Sequence, residues 1–210
     1  MLAVCVLAIV LVVAWFTPVL AVRTVHIEGV AAVPEQQVRD LVRIPSNLSI
    51  LRVDTDPIAR RVASIPKVRS VRVQRAFPST VRVTVVERTP VLYFDAPDGT
   101  HLIDSEGVEF AVEAPKEGVA KLVTEHPGGA DPATKAAVAV VSSLPRTLAG
   151  QVDEVAARSV SDVSLNLTDG RTVLWGGTND AERKSAVVGP LLTRPGTVFD
   201  VSSPNLVTVK

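Results

Sequence analysis

Ile65-Pro66-Lys67-Val68-Arg69-Ser70-Val71-Arg72-Val73-Gln74-Arg75-Ala76-Phe77-Pro78-Ser79-Thr80-Val81-Arg82-Val83-Thr84-Val85 reads as two strands around a turn. From Val68 to Arg75 apolar and polar residues alternate, with Val71 and Val73 on one side and Ser70, Arg72 and Gln74 on the other. Strict alternation puts one face of a strand in a core and the other in water. Phe77-Pro78-Ser79 makes the turn, and Val81, Val83 and Val85 form the inner face of the returning strand. Upstream, Asp54 and Asp56-Pro57 give capping and first-turn signals for a helix. Its stripe of Ile58, Val62 and Ile65 is apolar, and Pro66 ends it. Further upstream, Pro34 opens a short helix through Leu41, with Val38, Leu41 and Val42 at i, i+3 and i+4. Before that, Val22–Glu28 alternates as a half-buried strand closed by Gly29. The resulting order is strand, helix, helix, strand, strand.

Downstream of Pro90 the pattern changes to short strands. Val91–Phe94 and His101–Ile103 flank the hairpin turn Pro97-Asp98-Gly99. Asp104-Ser105-Glu106-Gly107 turns the chain into Val108–Ala111, and Val119–Val123 follows. Asp131 caps a helix from Pro132 to about Leu144. Val152–Ala157, Val163–Leu167 and Thr172–Trp175 read as strands, the last two joined at Asp169-Gly170. A helix over Ala181–Leu192 ends at Pro195-Gly196. Thr197–Val201, a Ser202–Asn205 turn and Leu206–Val209 complete the chain. The whole is of the α+β class, with a mainly antiparallel sheet and packed helices in this second module.

The start of the chain is of another kind. Leu2 to Val22 holds no charged residue. About 20 apolar residues rising ~1.5 Å each span roughly 30 Å, the hydrocarbon thickness of a bilayer. A cleaved signal has a shorter apolar core, ~7–15 residues, behind a basic start, so a retained transmembrane anchor is the favoured reading. Either reading exports the rest of the chain. The positive-inside rule looks for basic residues before the span. None precedes it here, leaving a trimmed start or a basic tail outside this sequence as alternatives. The expected organisation is an anchor over 1–22, a first domain over 23–90 and a β domain over 91–210.

The net charge of zero conceals an asymmetry. Residues 23–95 hold twelve Lys/Arg against seven Asp/Glu, while residues 96–210 hold ten against fifteen. The basic half lies beside the anchor and reads either as a face toward anionic lipid headgroups or as an ordinary solvated surface of mixed charge. Export removes nucleic acid as a partner. The one cysteine, Cys5, lies in the apolar segment, which excludes structural disulfides and leaves no thiol for catalysis in the exported part. Phosphate-binding, dinucleotide, zinc-protease and serine-hydrolase signatures are all missing. His26, His101 and His126 are scattered without metal-ligand spacing. Asp104 and Glu106 occupy a tight turn, where Asp serves its own backbone. No catalysis, cofactor or metal is expected. What remains is a short, β-rich terminus, Leu206–Lys210, which reads either as a sheet edge that can accept an added strand or as a closing strand paired within its own sheet.

The arrangement resembles the FtsQ/DivIB family of bacterial cell-division proteins. Val22-Arg23-Thr24-Val25-His26-Ile27-Glu28-Gly29 directly after an apolar span is one part of the likeness. Ile65–Val73 followed by Phe77-Pro78-Ser79-Thr80-Val81-Arg82-Val83, with Glu87-Arg88-Thr89-Pro90 as exit, is the most specific part. Leu102–Val108 is similar to the family's next hairpin, and Asp200-Val201-Ser202-Ser203-Pro204-Asn205 to the ending of actinobacterial members. The likeness covers the whole chain, apart from the family's cytoplasmic tail.

That resemblance implies a POTRA domain over residues 23–90 and a β domain thereafter. It implies a single-pass type II protein of the plasma membrane, mostly extracytoplasmic and placed at the division septum. Its role there would be a non-enzymatic scaffold linking early and late division proteins. The implied partners are small bitopic coiled-coil proteins of the FtsB and FtsL type, FtsB adding a strand beside the terminal strand. The residues implied in that contact are Phe199, Ser203, Asn205, Leu206, Val207, Thr208 and Val209. Arg60, Arg61, Arg69 and Arg72 would offer a second surface to other membrane division proteins. The alternatives are an envelope-assembly or export factor using its POTRA domain as a strand acceptor, and an exported enzyme of unfamiliar site.

Overall fold

A computed structural model describes residues 20–210. These fall into two compact units, one through Arg88 and the other from Thr89 to Lys210.

In the first unit, β1 (Thr24–Glu28), helix α1 (Glu35–Val42), helix α2 (Thr55–Ala63), β2 (Val68–Ala76) and β3 (Thr80–Glu87) follow in the expected order. The sheet order is β1-β3-β2, with β1 parallel and β2 antiparallel to β3. Ile58, Val62 and Ile65 are buried against Val81, Val83 and Val85, so the apolar stripe read from the sequence is the core. Asp54 caps α2 by accepting from Asp56 N at 3.2 Å. Pro34 sits one place earlier than expected, at the cap of α1 rather than inside it. The first strand begins at Thr24 because Val22 N donates instead to Leu48 O at 2.9 Å. Gly29 (φ +82°) is required here, since a Cβ would overlap the carbonyl oxygen of Val85.

The second unit is built on β4 (Pro90–Ala96), β5 (Gly99–Asp104), β6 (Glu109–Val112), β7 (Ala120–Val123), β8 (Val152–Ser159), β9 (Asp162–Leu167), β10 (Thr172–Gly176), β11 (Val198–Asp200) and β12 (Thr208–Val209). These form one nine-stranded sheet in the order β12-β11-β10-β9-β8-β7-β4-β5-β6. Helices α3 (Pro132–Ser143), α4 (Arg146–Ala149) and α5 (Ala181–Leu191) complete the unit. The one core takes Leu92, Leu122, Val155, Leu165, Val173, Trp175 and Phe199 from the strands and Ala137, Val140 and Val188 from α3 and α5.

The sheet is mixed, more so than the sequence suggested. Three neighbouring pairs, β4–β7, β7–β8 and β10–β11, are parallel. Parallel pairs need a crossover, and α3 and α5 lie in the crossovers that lead into β8 and β11. Asp131 caps α3 by accepting from Thr134 N at 2.7 Å. The terminal strand is shorter than expected. Leu206 N closes a turn on Ser203 O, leaving Thr208–Val209 as the ladder.

The anchor expected over 1–22 falls, except for Leu20–Val22, outside the described residues. Among the described residues no helix is long and apolar enough to cross a membrane.

Candidate partner interface

β12 is the outermost strand at one end of the nine-stranded sheet, so among the described residues only β11 adjoins it. Val209 lies opposite Phe199 and Thr208 opposite Asp200. Val198 and Lys210 exchange both backbone bonds, Val198 N to Lys210 O at 3.0 Å and Lys210 N to Val198 O at 2.9 Å. Antiparallel ladders alternate, so the N–H and C=O of Val207 and Val209 turn to the outer side. That is the geometry a further strand requires.

The side chains sort by the same alternation. Val207 and Val209 pack on the core, while Leu206, Thr208 and Lys210 are exposed. Leu206 is 76% exposed. On the face carrying Thr208, the register continues through Asp200 to the exposed Leu174 of β10. Phe199 is fully buried, with the Arg171 guanidinium 5.7 Å from its ring centroid. Its side chain belongs to the core, so its part in any contact is to hold β11 in place.

The turn before β12 is fixed at both ends. Asp200 Oδ1 accepts from Ser202 N at 2.9 Å and Ser202 Oγ at 2.6 Å. Arg183 of α5 donates to Asn205 Oδ1 at 2.6 Å. Ser203 is exposed between these two clasps. Gly196 makes room for the strand itself, since a Cβ there would overlap Val209 Cγ1.

Sequence reading missed what sits beneath. Lys184 on α5 is 2% exposed, donating to Trp175 O at 3.0 Å and Gly177 O at 2.8 Å. Burial pushes its pKa down, with Asp180 acting against that. The ammonium closes the carbonyls where β10 ends, a role a lone Lys in a helix pattern does not announce.

The four arginines do not form one surface. Arg61 donates to Leu41 O at 2.8 Å and Val42 O at 2.7 Å, closing the last carbonyls of α1. That makes the half-buried Arg61 a clasp between α2 and the end of α1. Arg60 is exposed on α2, which covers the inner side of the small sheet. Arg72 lies on the opposite, outer side with Ser70, Gln74, Arg82, Thr84, Val86 and Glu28, around a shallow groove of about 500 Å³. Arg69 is exposed at a bulge in β2.

Among the described residues no three His, Cys, Asp or Glu side chains converge as a metal site. His101 instead lies between two separate carboxylates, with Nε2 2.9 Å from Asp98 and Nδ1 3.4 Å from Glu109. Its ring stacks on Phe94 at 4.9 Å. The Asp98 hydrogen bond above all, with Glu109 helping, raises its pKa above the ordinary histidine value. Asp104 serves its own turn, as its position suggested, with Oδ1 accepting from Glu106 N and Val108 N at 2.9 Å each.

Two domain families match the chain. The FtsQ-type POTRA domain matches residues 20–88, and the C-terminal domain of cell division protein FtsQ/DivIB matches residues 93–201. The chain belongs to the FtsQ/DivIB family. FtsQ relatives agree. Cell division protein FtsQ of Mycolicibacterium smegmatis is 44% identical over 196 residues, 93% of this chain and 59% of its own length. FtsQ of Mycobacteroides abscessus is 48% identical over 93% of this chain and 63% of its own. FtsQ of Corynebacterium glutamicum is 31% identical over 97% and 92%. The chain thus spans about three fifths of the length of the two mycobacterial FtsQ proteins. The FtsQ/DivIB C-terminal match ends at Val201, just before the turn that leads into β12.

Proposed function

We propose that this chain is a non-enzymatic scaffold of the division machinery, held by the segment 1–22 as a type II protein at the septal plasma membrane. It receives a strand from a small bitopic coiled-coil division protein of the FtsB type, with an FtsL-type companion, and so links early with late division proteins. The single observation that carries this reading is β12. It is an edge strand with one flank on β11, Val207 and Val209 turning their backbone groups outward, and Leu206 beside them in solvent. Strand addition draws affinity from main-chain bonds and specificity from flanking side chains. Ser203, Asn205 and Thr208 frame the edge, and Phe199 supports it from the core. Arg60, Arg69 and Arg72 remain contacts on separate faces of the POTRA unit for other membrane division proteins.

The test is capture of the FtsB-type protein's extracytoplasmic segment by the full chain and by a chain lacking Asn205–Lys210. Capture is expected to be lost with the folded state retained, as judged by circular dichroism. Undiminished capture overturns the proposal.

A further inference from the structure

Leu20–Val22 is not a loose tether but is stitched into the POTRA unit. Ala21 is buried and bridges to Ser49, Val22 N donates to Leu48 O at 2.9 Å, and Arg23 N donates to Ser79 O at 2.8 Å. Thr24 then lies opposite Thr80 in the parallel β1–β3 ladder. The uncharged stretch that ends at Val22 therefore meets the unit at one fixed pole. That pole is formed by the 45–49 loop and the β2–β3 turn.

The turn carries Phe77, 62% exposed, two residues from the Ser79 carbonyl that holds Arg23. A lone exposed aromatic is ordinary on a protein surface. This one stands where an apolar chain segment enters, and the segments that meet there carry cations. The segments 20–27, 43–53 and 67–86, which run through the pole and the strands leading from it, contain no Asp or Glu. They supply Arg23, Arg52 and Arg75, the last fixed by bonds from Nε and Nη2 to Val53 O at 2.9 and 2.6 Å. The first carboxylate after them on the helical side is Asp54, occupied in capping α2.

We propose that this pole rests in the bilayer interface, with Phe77 set among the lipid headgroups and Arg23, Arg52 and Arg75 around it facing anionic lipid. Aromatic rings are favoured at that depth, and cations beside it are drawn to anionic headgroups. The inference rests on reading residues 1–22 as a membrane anchor. Its consequence is that the POTRA unit is held at a fixed tilt to the membrane.

The test uses the full chain with Cys5→Ser, reconstituted into phosphatidylethanolamine–phosphatidylglycerol vesicles. Single cysteines at Phe77→Cys, at Ser46→Cys in the neighbouring loop, and at Ala63→Cys at the far end of α2 carry an environment-sensitive dye. The dyes at 77 and 46 are expected to be quenched by headgroup-proximal spin-labelled lipid. Dithionite is expected to reduce them several-fold more slowly than the dye at 63. Should Phe77→Cys fail to fold, position 46 alone decides. Equal dithionite rates at all three positions, in a chain that resists carbonate extraction, overturn this proposal alone. A chain that carbonate removes overturns the anchor reading as well.

Discussion

The two ends of the nine-stranded sheet differ in how they treat an edge. At one end, β6 is interrupted by a bulge against β5 and begins with a charged residue. Glu109 there is committed to His101 and to Gly129 N at 2.9 Å, and Glu113 N closes onto Thr100 O. Bulges and charged side chains are among the ways sheets blunt an edge against unwanted pairing. At the other end, β12 pairs with β11 without a bulge, and its strand residues are Thr and Val, with the first charge only at Lys210. Among the described residues, the two outermost strands thus differ in their own local chemistry. The β6 edge is broken by a bulge and a committed carboxylate, whereas β12 is braced from beneath by the buried Phe199.

The brace gives the largest effect with which to break that contrast. Phe199→Ala removes a buried ring from under β12 and is expected to destabilise the second unit by about 3–5 kcal/mol, read in a denaturant titration. Partner capture should fall with the fold, which separates Phe199 from true contact residues. Next comes Gly196→Val, which drives a side chain into Val209. It should cost about 1–3 kcal/mol of overpacking, and capture should fall further than stability does. If capture survives with β12 displaced, the edge assignment fails.

The blunted end offers a pH test. His101 has a raised pKa, so the stability it lends is complete below the ordinary histidine range, near pH ~6.5. That stability is lost as pH rises through the raised value. Denaturation midpoints measured from pH 6 to 9 should decline for the parent chain, and His101→Gln should remove that part of the slope. An unchanged slope would mean the clasp between Asp98 and Glu109 contributes nothing. The smallest change in stability belongs to Leu206→Ser, within about 0.5 kcal/mol for an exposed site. Its effect should appear only in capture of the partner.

Much of this was legible in the chain. Alternation around Phe77-Pro78-Ser79 and the stripe Ile58, Val62 and Ile65 are local patterns, and they returned the strand-helix-helix-strand-strand order. Turn residues such as Asp104 and caps such as Asp54 and Asp131 were readable for the same reason. What stayed hidden depends on distant partners. That β7 joins the sheet between β4 and β8 in parallel follows from packing rather than from its four residues. Arg61 reads as surface charge until α1 ends beside it, and Lys184 reads as solvated until α5 packs over Trp175. At the candidate site the terminal edge was legible from its composition. The burial of Phe199 and the clasp of Arg183 on Asn205 were not, because both arise from α5 and β10 closing around the turn.

The most direct measurement is amide hydrogen exchange on the full chain with and without the FtsB-type partner's extracytoplasmic segment. Val207 and Val209, whose N–H groups turn away from β11, should exchange freely alone and become protected when the segment binds. Protection that appears at Glu109–Val112 while Val207 and Val209 exchange unchanged would contradict β12 as the acceptor strand.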